Sequence, residues 1–152
     1  MYMEIRKAQT TDIERLVTFQ LGLAGETEDF ELDAAVVRRG ITAMFDDPAK
    51  GIYYVAEIDG AVAGCLSTTF EWSDWRNGTT LWIQSVYVDK AYRGRGVYEA
   101  LYAHLQQMVN DSEEYTGIRL YVDKRNVRAQ KVYQRNGMDG EHYQLYEWMK
   151  GF

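Results

Sequence analysis

The turn Arg-Gly-Arg-Gly at residues 93–96 separates a strand-like stretch that ends at Val88 from a helix-like stretch that begins at Val97. Two glycines at i and i+2 allow successive backbone N–H groups to point into one concavity, and the positive end of the helix dipole lies there too. Such a turn suits a pyrophosphate; the alternative is a tight turn before an ordinary helix. A Walker loop is excluded because its Gly-Lys-Ser/Thr ending is missing, and a dinucleotide loop would need glycine in place of Glu99.

A second motif reads Asn-Val-Arg-Ala-Gln-Lys-Val-Tyr-Gln-Arg-Asn-Gly-Met over residues 126–138. Together with the glycine-rich turn, it resembles the GNAT superfamily of N-acetyltransferases, whose coenzyme A signature is Arg/Gln-x-x-Gly-x-Gly/Ala. The second signature of that family is Asn-x-x-Ala-x-x-x-Tyr-x-x-x-Gly-Phe. The chain departs from these patterns at Tyr98, where Gly or Ala is usual, and at Met138, where Phe is usual. The motifs occur in the family's order, and the resemblance in element order covers nearly the whole chain.

The resemblance implies a site for acetyl-coenzyme A as cosubstrate. The end of the strand would pair with the pantetheine arm, the amides of the turn would hold the pyrophosphate, and Asn126 would hydrogen-bond the pantetheine chain. Asn126 also suits a helix N-cap, and the side chain can do both. The implied cofactor-binding residues are Val86, Tyr87, Val88, Arg93, Gly94, Arg95, Gly96, Val97, Tyr98 and Asn126.

Acetyl transfer to an amine also needs a donor for the oxyanion and a proton for the departing thiolate. By resemblance, a backbone amide near Val86 or Tyr87 would face the oxyanion if the strand bulges there. Tyr133 would be the general acid, because a phenol with a reference pKa of about 10 suits a thiolate of comparable basicity. The structural alternative for Tyr133 is a core tyrosine on an amphipathic helix.

The sequence does not identify a general base. Many GNAT members place a glutamate on the strand that here reads Leu-Trp-Ile-Gln-Ser over residues 81–85. Carboxylates elsewhere would act as bases through water, form an anionic mouth for a cation, or simply be solvated. The candidate substrate residues are Glu26, Glu28, Glu71 and Trp75.

Aromatic and histidine residues complete the chemical inventory. Trp72, Trp75 and Trp82 would clamp a cationic or aromatic amine by stacking, or would fill a core, and the sequence favours neither reading. His104 and His142 have no cysteine or carboxylate at ligand spacing. We therefore predict no metal site.

The composition is that of an ordinary globular protein, with 46% hydrophobic and 26% charged residues among 152. The net charge of -6 disfavours nucleic acid as a partner, because phosphate backbones attract basic surfaces. The apolar runs fall short of the ~20 residues of a membrane span, and the alternating first residues lack the apolar core of a signal peptide. We predict a cytoplasmic protein with no membrane partner, in which Cys65 is a small core residue.

The element pattern predicts one domain over residues 1–152 of the α/β class, a sandwich with a mixed, mostly antiparallel central sheet flanked by helices. The order is β-α-α-β-β-β-α-β-α-β, with Asp59-Gly60 as a hairpin turn. An acidic loop is predicted over residues 22–31. The predicted strands cover residues 2–7, 51–58, 61–70, 79–88, 118–122 and about 142–148. The first predicted helix follows an N-cap at residues 10–12 and has apolar positions to residue 21, and the second covers residues 33–45. The third opens after residue 96 with apolar positions to residue 108, and the fourth begins at residue 126 and stops at residues 136–137.

Three functional hypotheses follow. The first is an N-acetyltransferase for a primary amine, whether a small cationic molecule or a protein amino group. The second is an acyl-coenzyme A sensor without turnover, which the missing strand carboxylate would allow, and the third is an interaction domain whose glycine motifs are only turns. A homodimer through the edge of the last strand is compatible with the sequence and is not required by it.

Overall fold

The computed structural model describes residues 1–28 and 31–151, and the chain divides into a compact unit of residues 1–119 and a second unit from residue 120. The strands are β1 (Met3–Lys7), β2 (Ile52–Ile58), β3 (Ala61–Ser73), β4 (Gly78–Val88) and β5 (Tyr115–Arg119). The helices are α1 (Ile13–Thr27), α2 (Ala34–Asp46), α3 (Val97–Asp111) and α4 (Val127–Arg135), and single 3-10 turns cover Thr10–Asp12, Pro48–Lys50 and Lys90–Tyr92. Across the described chain, none of these helices is both long enough and apolar enough to cross a bilayer.

One five-stranded sheet in the order β1-β2-β3-β4-β5 forms the first unit. The first four strands are antiparallel neighbours, and β5 is parallel to β4. The predicted hairpin turn is present, with positive φ at both Asp59 (48°) and Gly60 (86°), as a tight two-residue connection requires. The β4–β5 connection runs through α3, as a parallel pair demands. The predicted mixed, mostly antiparallel α/β fold is confirmed.

The sheet carries helices on both faces. Tyr53 and Val55 of β2 belong to the core that α1 and α2 form, whereas the ring of Tyr54 contacts His104 of α3 at 5.5 Å between centroids. Successive strand residues point to opposite faces, so α3 lies on the face away from α1 and α2. Cys65 is fully buried in the α1–α2 core, where burial raises the pKa of its thiol to about 12. Its predicted role as a core residue is confirmed.

Three boundaries differ from the sequence prediction. The loop expected over residues 22–31 is wrong for its first part, because α1 continues to Thr27 through two glycines; residues 29 and 30 lie outside the described residues. β3 continues to Ser73 because its pairing with β4 reaches Gly78, which puts residues 71–73 in the strand. The fifth strand is Tyr115–Arg119, earlier than the predicted 118–122, because its parallel register begins at Tyr115.

The second unit contains α4 and the C-terminal segment. The predicted helix is confirmed; it ends at Arg135, with Asn136 as its C-cap, and Gly137 follows with φ of 86°. The strand predicted over residues 142–148 is wrong: these residues, all of them described, adopt no strand, and Tyr143, Tyr146 and Trp148 are exposed. Alternating aromatic residues favour a strand, but a strand also requires a hydrogen-bonded neighbour, which a local pattern does not supply.

Candidate functional site

A β-bulge interrupts β4 near its middle. Ser85 lies opposite Ser67 on β3, and Ile83 lies opposite the next β3 residue, so Gln84 is an extra residue in β4. The pairing of β4 with β5 ends at Trp82 opposite Arg119, and residues 83–88 of β4 extend past the end of β5. The resemblance implied a bulge near Val86 or Tyr87; the bulge in the structure is at Gln84, two residues before Val86.

The glycine-rich turn has the backbone shape that the sequence predicts. Gly94 and Gly96 have φ of 80° and 76°, the left-handed region that glycine adopts without strain. A Cβ built on either would meet no described atom within 4 Å, so the surface of the turn is open. Gly96 is the N-cap of α3 and has no side chain with which to cap the first-turn amides. These open amides at a helix N-terminus match what a pyrophosphate binds.

Tyr98 stands where the family pattern has Gly or Ala, and its side chain points into α3's buried side. It is 9% exposed and stacks on Tyr102, with 6.0 Å between ring centroids. The large side chain therefore packs in the interior, and its backbone amide keeps its place in the first turn of α3.

The two arginines of the turn have different surroundings. Arg93 donates from Nε to the Val88 carbonyl and from Nη2 to Glu26, both at 2.9 Å, and its guanidinium lies 5.4 Å from the centre of the Tyr87 ring. Arg95 lies over the ring of Tyr92 at 5.4 Å. Within the described chain, Arg95 forms no ion pair with a carboxylate. Arg93 is thus tied to α1 and β4, and Arg95 stays with the turn.

Glu26 is the meeting point of three side chains. The Tyr87 hydroxyl donates to Glu26 Oε2 at 2.5 Å, Arg93 donates to Oε1, and Lys90 Nζ lies 3.9 Å from Oε1. The hydrogen bond from Tyr87, followed by that from Arg93, holds the pKa of Glu26 below its usual value. Burial, and then this bond, raise the pKa of Tyr87. Glu26 therefore faces the glycine-rich turn as a charged, hydrogen-bonded carboxylate.

A second ion pair joins α1 to the start of the turn. Arg15 pairs with Asp89 and also donates to the Val62 carbonyl, and its guanidinium lies 4.5 Å from the centre of the Phe19 ring. The Asp89 carboxylate accepts from the Ala91 amide at 3.0 Å, which caps the 3-10 turn; that bond is the main cause of the lowered pKa of Asp89. Sequence reasoning missed Arg15 and Asp89, although Arg15, Phe19 and Glu26 have the spacing of a single helix face.

These contacts border an open cavity of about 390 Å³ between α1 and the end of β4. Its lining residues are Arg15, Thr18, Phe19, Leu21, Gly22, Gly25, Glu26, Tyr87, Asp89 and Lys90. The lining includes two cations, Arg15 and Lys90, and two carboxylates, Glu26 and Asp89, so the cavity has no single sign of charge.

The remaining predicted substrate residues do not form one cluster. Glu71 on β3 accepts from Arg119 at 2.6 Å and from the Trp82 indole N–H at 3.2 Å. Trp75 is 92% exposed in the turn between β3 and β4, and Glu28 is exposed at the C-terminal end of α1. The structure brings Glu71 together with Trp82 and leaves Trp75 on the surface. Trp72 is also exposed, so neither Trp72 nor Trp75 fills a core.

A buried polar cluster lies beside the bulge, and sequence reasoning missed it. Gln20 of α1 donates to the Tyr53 hydroxyl at 2.8 Å, and Ser67 and Ser85, which pair across β3 and β4, lie near that hydroxyl. Burial raises the pKa of Tyr53 far above its usual value, so the phenol stays neutral. The cluster therefore places polar side chains next to the point where β4 departs from regular pairing.

In the second unit, Asn126 is the N-cap of α4, and its side chain accepts from the Ala129 amide at 3.1 Å. The capping role is therefore confirmed. Tyr133 lies in the last two turns of α4 and is partly buried, and burial raises the pKa of its phenol. Among residues 1–28 and 31–151, no group of three His, Cys, Asp or Glu side chains is arranged to hold a metal ion.

Comparison with known proteins decides the family. The sequence profile of the acetyltransferase (GNAT) family matches residues 13–138, which is most of the chain. The chain belongs to the GNAT acetyltransferase family. The crystal structure of a possible acetyltransferase from Clostridium difficile 630 is 40% identical to it, covers 98% of each chain and superposes with a TM-score of 0.92. No curated protein sequence matches the chain significantly.

Two more distant acetyltransferase structures are similar to this chain in fold only. A ribosomal-protein-alanine N-acetyltransferase from Brucella melitensis biovar Abortus 2308 is 14% identical over 97% of this chain and all of its own, with a TM-score of 0.77. An aminoglycoside acetyltransferase from an uncultured soil metagenomic sample, in complex with sisomicin, is also 14% identical, covers 98% of this chain and 97% of its own, and has a TM-score of 0.74. These acetyltransferases have different acceptors, so the fold leaves the acceptor of this chain open.

Proposed function

We propose that this GNAT protein is an N-acetyltransferase that moves an acetyl group from acetyl-coenzyme A to a primary amine. The observation that carries the proposal is the open glycine-rich turn at the N-terminus of α3, which the 3-10 turn Lys90–Tyr92 connects to a strand that bulges at Gln84. The family assignment supports the reaction type, and the turn supports the cosubstrate.

The residues of the turn fit the pyrophosphate of coenzyme A. A Cβ at Gly94 or Gly96 would project into the open space that the phosphates would occupy. The amides from Arg93 to Tyr98 would bind the phosphate oxygens, and the backbone of residues 86–88, past the end of β5, would pair with the pantetheine arm. Acetyl-coenzyme A would supply an acetyl group activated as a thioester.

We assign the reaction steps to residues as follows. The neutral amine attacks the acetyl carbonyl carbon, the carbon–sulfur bond breaks, and Tyr133 protonates the departing thiolate. The amine nitrogen, which is positively charged after the attack, releases one proton to water, and water returns one proton to the Tyr133 phenolate. A backbone amide near Val86, after the bulge, would donate to the oxyanion. The raised pKa of Tyr133 keeps its phenol protonated at neutral pH.

The proton of the amine has a less direct route. The carboxylate of Glu26 binds Arg93 and Tyr87, and its lowered pKa makes it a weaker base. Glu71 binds Arg119 and Trp82. We propose that the amine loses its proton to water, so that the rate rises with pH towards the pKa of the free amine.

The deciding experiment is calorimetric titration with acetyl-coenzyme A, followed by measurement of thiol release with a panel of amines. The panel includes a polyamine, a peptide with an N-terminal alanine and an aminoglycoside. Binding with thiol release in the presence of one class would support the proposal and name the acceptor class. Binding without release across the panel would favour the acyl-coenzyme A sensor, and no binding would overturn the proposal.

A further inference from the structure

One face of α1 is built to hold the glycine-rich turn. Arg15, Phe19, Gly22 and Glu26 share this face, since their spacing follows the helical repeat. Arg15 pairs with Asp89, before the 3-10 turn Lys90–Tyr92, and Glu26 pairs with Arg93 after it. In the first pair α1 supplies the cation, and in the second it supplies the carboxylate. A segment docked on α1 in the reverse direction would bring like charges together, so the two pairs favour the observed direction.

Tyr87 passes between these two ion pairs, and its contact with α1 depends on the absence of a side chain at Gly22. A Cβ on Gly22 would lie 2.8 Å from the Tyr87 hydroxyl oxygen, closer than real Cβ contacts. The hydroxyl reaches past this glycine to donate to Glu26. The face of α1 therefore leaves space for the Tyr87 ring at Gly22 and offers the Glu26 carboxylate as acceptor for the Tyr87 hydroxyl.

Arg93 uses its donors inside this arrangement. Its Nε donates to the Val88 carbonyl and its Nη2 to Glu26, so the guanidinium joins the end of β4 to α1. A guanidinium held in this way is directed towards Glu26 and has its charge partly neutralised there. Arg95, which forms no ion pair within the described residues, keeps its charge for a ligand of the turn.

We infer that Glu26 is a positioning residue for the cosubstrate: through Arg93 and Tyr87 it fixes the glycine-rich turn in its binding shape, and Arg95 rather than Arg93 supplies the side-chain charge for the pyrophosphate. The inference rests on the proposed function, because it takes acetyl-coenzyme A as the ligand of the turn. It gives Glu26 a role in cosubstrate binding in place of the candidate role as general base.

The substitution Glu26→Gln tests the inference by the sign of its effect. A carboxylate near a phosphate site repels the ligand, so its removal alone would tighten binding and would release Arg93 towards the phosphates. If Glu26 positions the turn, the same substitution weakens binding, because the turn loses its contacts with α1. We expect the Kd for acetyl-coenzyme A to rise about three- to tenfold, the size expected for partly exposed charged hydrogen bonds.

The variant Arg93→Gln and the double variant complete the test. Because Glu26 and Arg93 act as one unit, the double variant of these two residues should bind acetyl-coenzyme A no more weakly than whichever of its single variants has the higher Kd. Arg95 acts independently, so Arg95→Gln combined with Glu26→Gln should raise the Kd by the product of the two single-variant factors. The kcat at saturating acetyl-coenzyme A should stay within about twofold of wild type in Glu26→Gln. A large fall in kcat with unchanged KM would instead make Glu26 a catalytic base and overturn the inference.

Glu14→Gln is the matched control. Glu14 lies on the same helix and forms a bidentate pair with Arg38 at 2.6 and 2.9 Å, so the substitution removes the same charge and the same type of contact elsewhere on α1. Its Kd for acetyl-coenzyme A should equal that of wild type. Tighter or unchanged binding by Glu26→Gln would overturn the inference, whereas failure of the wild-type protein to bind at all would overturn the proposed function.

Discussion

Two glycines of α1 give a matched pair of substitutions with opposite expected effects. Gly22 and Gly25 both lie in the helix, where Gly→Ala stabilises by up to about 1 kcal/mol when the new methyl group meets no obstacle. A Cβ on Gly25 meets no described atom within 4 Å. We expect Gly25→Ala to raise the free energy of unfolding by about 0.5–1 kcal/mol, with the lower value favoured because the residue is in the last turn.

Gly22→Ala gains the same helical preference but drives a methyl group into Tyr87. The new Cβ would lie 2.8 Å from the hydroxyl oxygen and 3.0 Å from Cζ, so the ring must move away from Glu26. Overpacking costs about 1–3 kcal/mol, and a displaced ring also loses its hydrogen bond to Glu26. The net expectation is a loss of about 0.5–2 kcal/mol in the free energy of unfolding.

Urea unfolding followed by circular dichroism measures both variants, and an unchanged m-value shows that the same transition is compared. Tyr87→Phe removes the hydroxyl that causes the closest contact, so Gly22→Ala should be less harmful in that background than in wild type. If Gly22→Ala stabilised the protein as much as Gly25→Ala, the reasoning about the close approach of Tyr87 to α1 would be refuted.

Three further predictions concern the turn, the acid and the pH dependence. Gly96→Val should abolish acetyl-coenzyme A binding while the protein stays folded by circular dichroism, because φ of 76° strains a β-branched residue and its side chain would fill the open cradle; normal binding would remove the pyrophosphate from this turn. Tyr133→Phe should lower kcat with little change in KM for acetyl-coenzyme A, and the wild-type rate should fall at alkaline pH in a way that the variant does not show; an unchanged kcat would exclude Tyr133 as the acid. The lowered pKa values of Glu26 and Asp89 contribute stability that is present above about pH 4.5 and is lost as the pH falls through their folded-state values, so the melting temperature of Glu26→Gln should fall less on acidification than that of wild type. Parallel acid profiles of wild type and Glu26→Gln would contradict the last expectation.

The parts of the fold that follow from local pattern could be predicted from the sequence. Alternation predicts β1 to β4, the Asp59-Gly60 turn predicts the hairpin, and the glycines of the turn predict positive φ. The end of α1 could not be predicted in this way. Gly22 disfavours a helix by its intrinsic preference, and the helix predicted from the sequence therefore ends there. In the structure Gly22 lies inside α1, where the absence of a side chain leaves room for Tyr87. That reason depends on a residue sixty-five positions away in the sequence.

The candidate site shows the same division between local and distant information. The turn's backbone is encoded within a few residues, but the bulge at Gln84 depends on the register between two strands, and the role of Glu26 depends on pairing with Tyr87 and Arg93 far along the chain. Arg15, Phe19 and Glu26 have the spacing of one helix face, but the loop predicted over residues 22–31 left Glu26 off the helix. The residues that contact this face could not be predicted, because the helical repeat shows which side chains point the same way and does not identify their partners.

Local charge explains how an acidic chain can hold a polyanion at this turn. The chain carries a net charge of -6, which argues against a long phosphate backbone as partner. Around the turn, four cations (Arg15, Lys90, Arg93 and Arg95) outnumber three carboxylates (Glu26, Asp89 and Glu99), so a positive excess remains beside the open backbone amides. At physiological ionic strength, screening limits the reach of exposed charges elsewhere to about 8 Å. A compact pyrophosphate therefore interacts mainly with the positive charges of the turn. An extended nucleic acid would also contact the rest of the negatively charged surface.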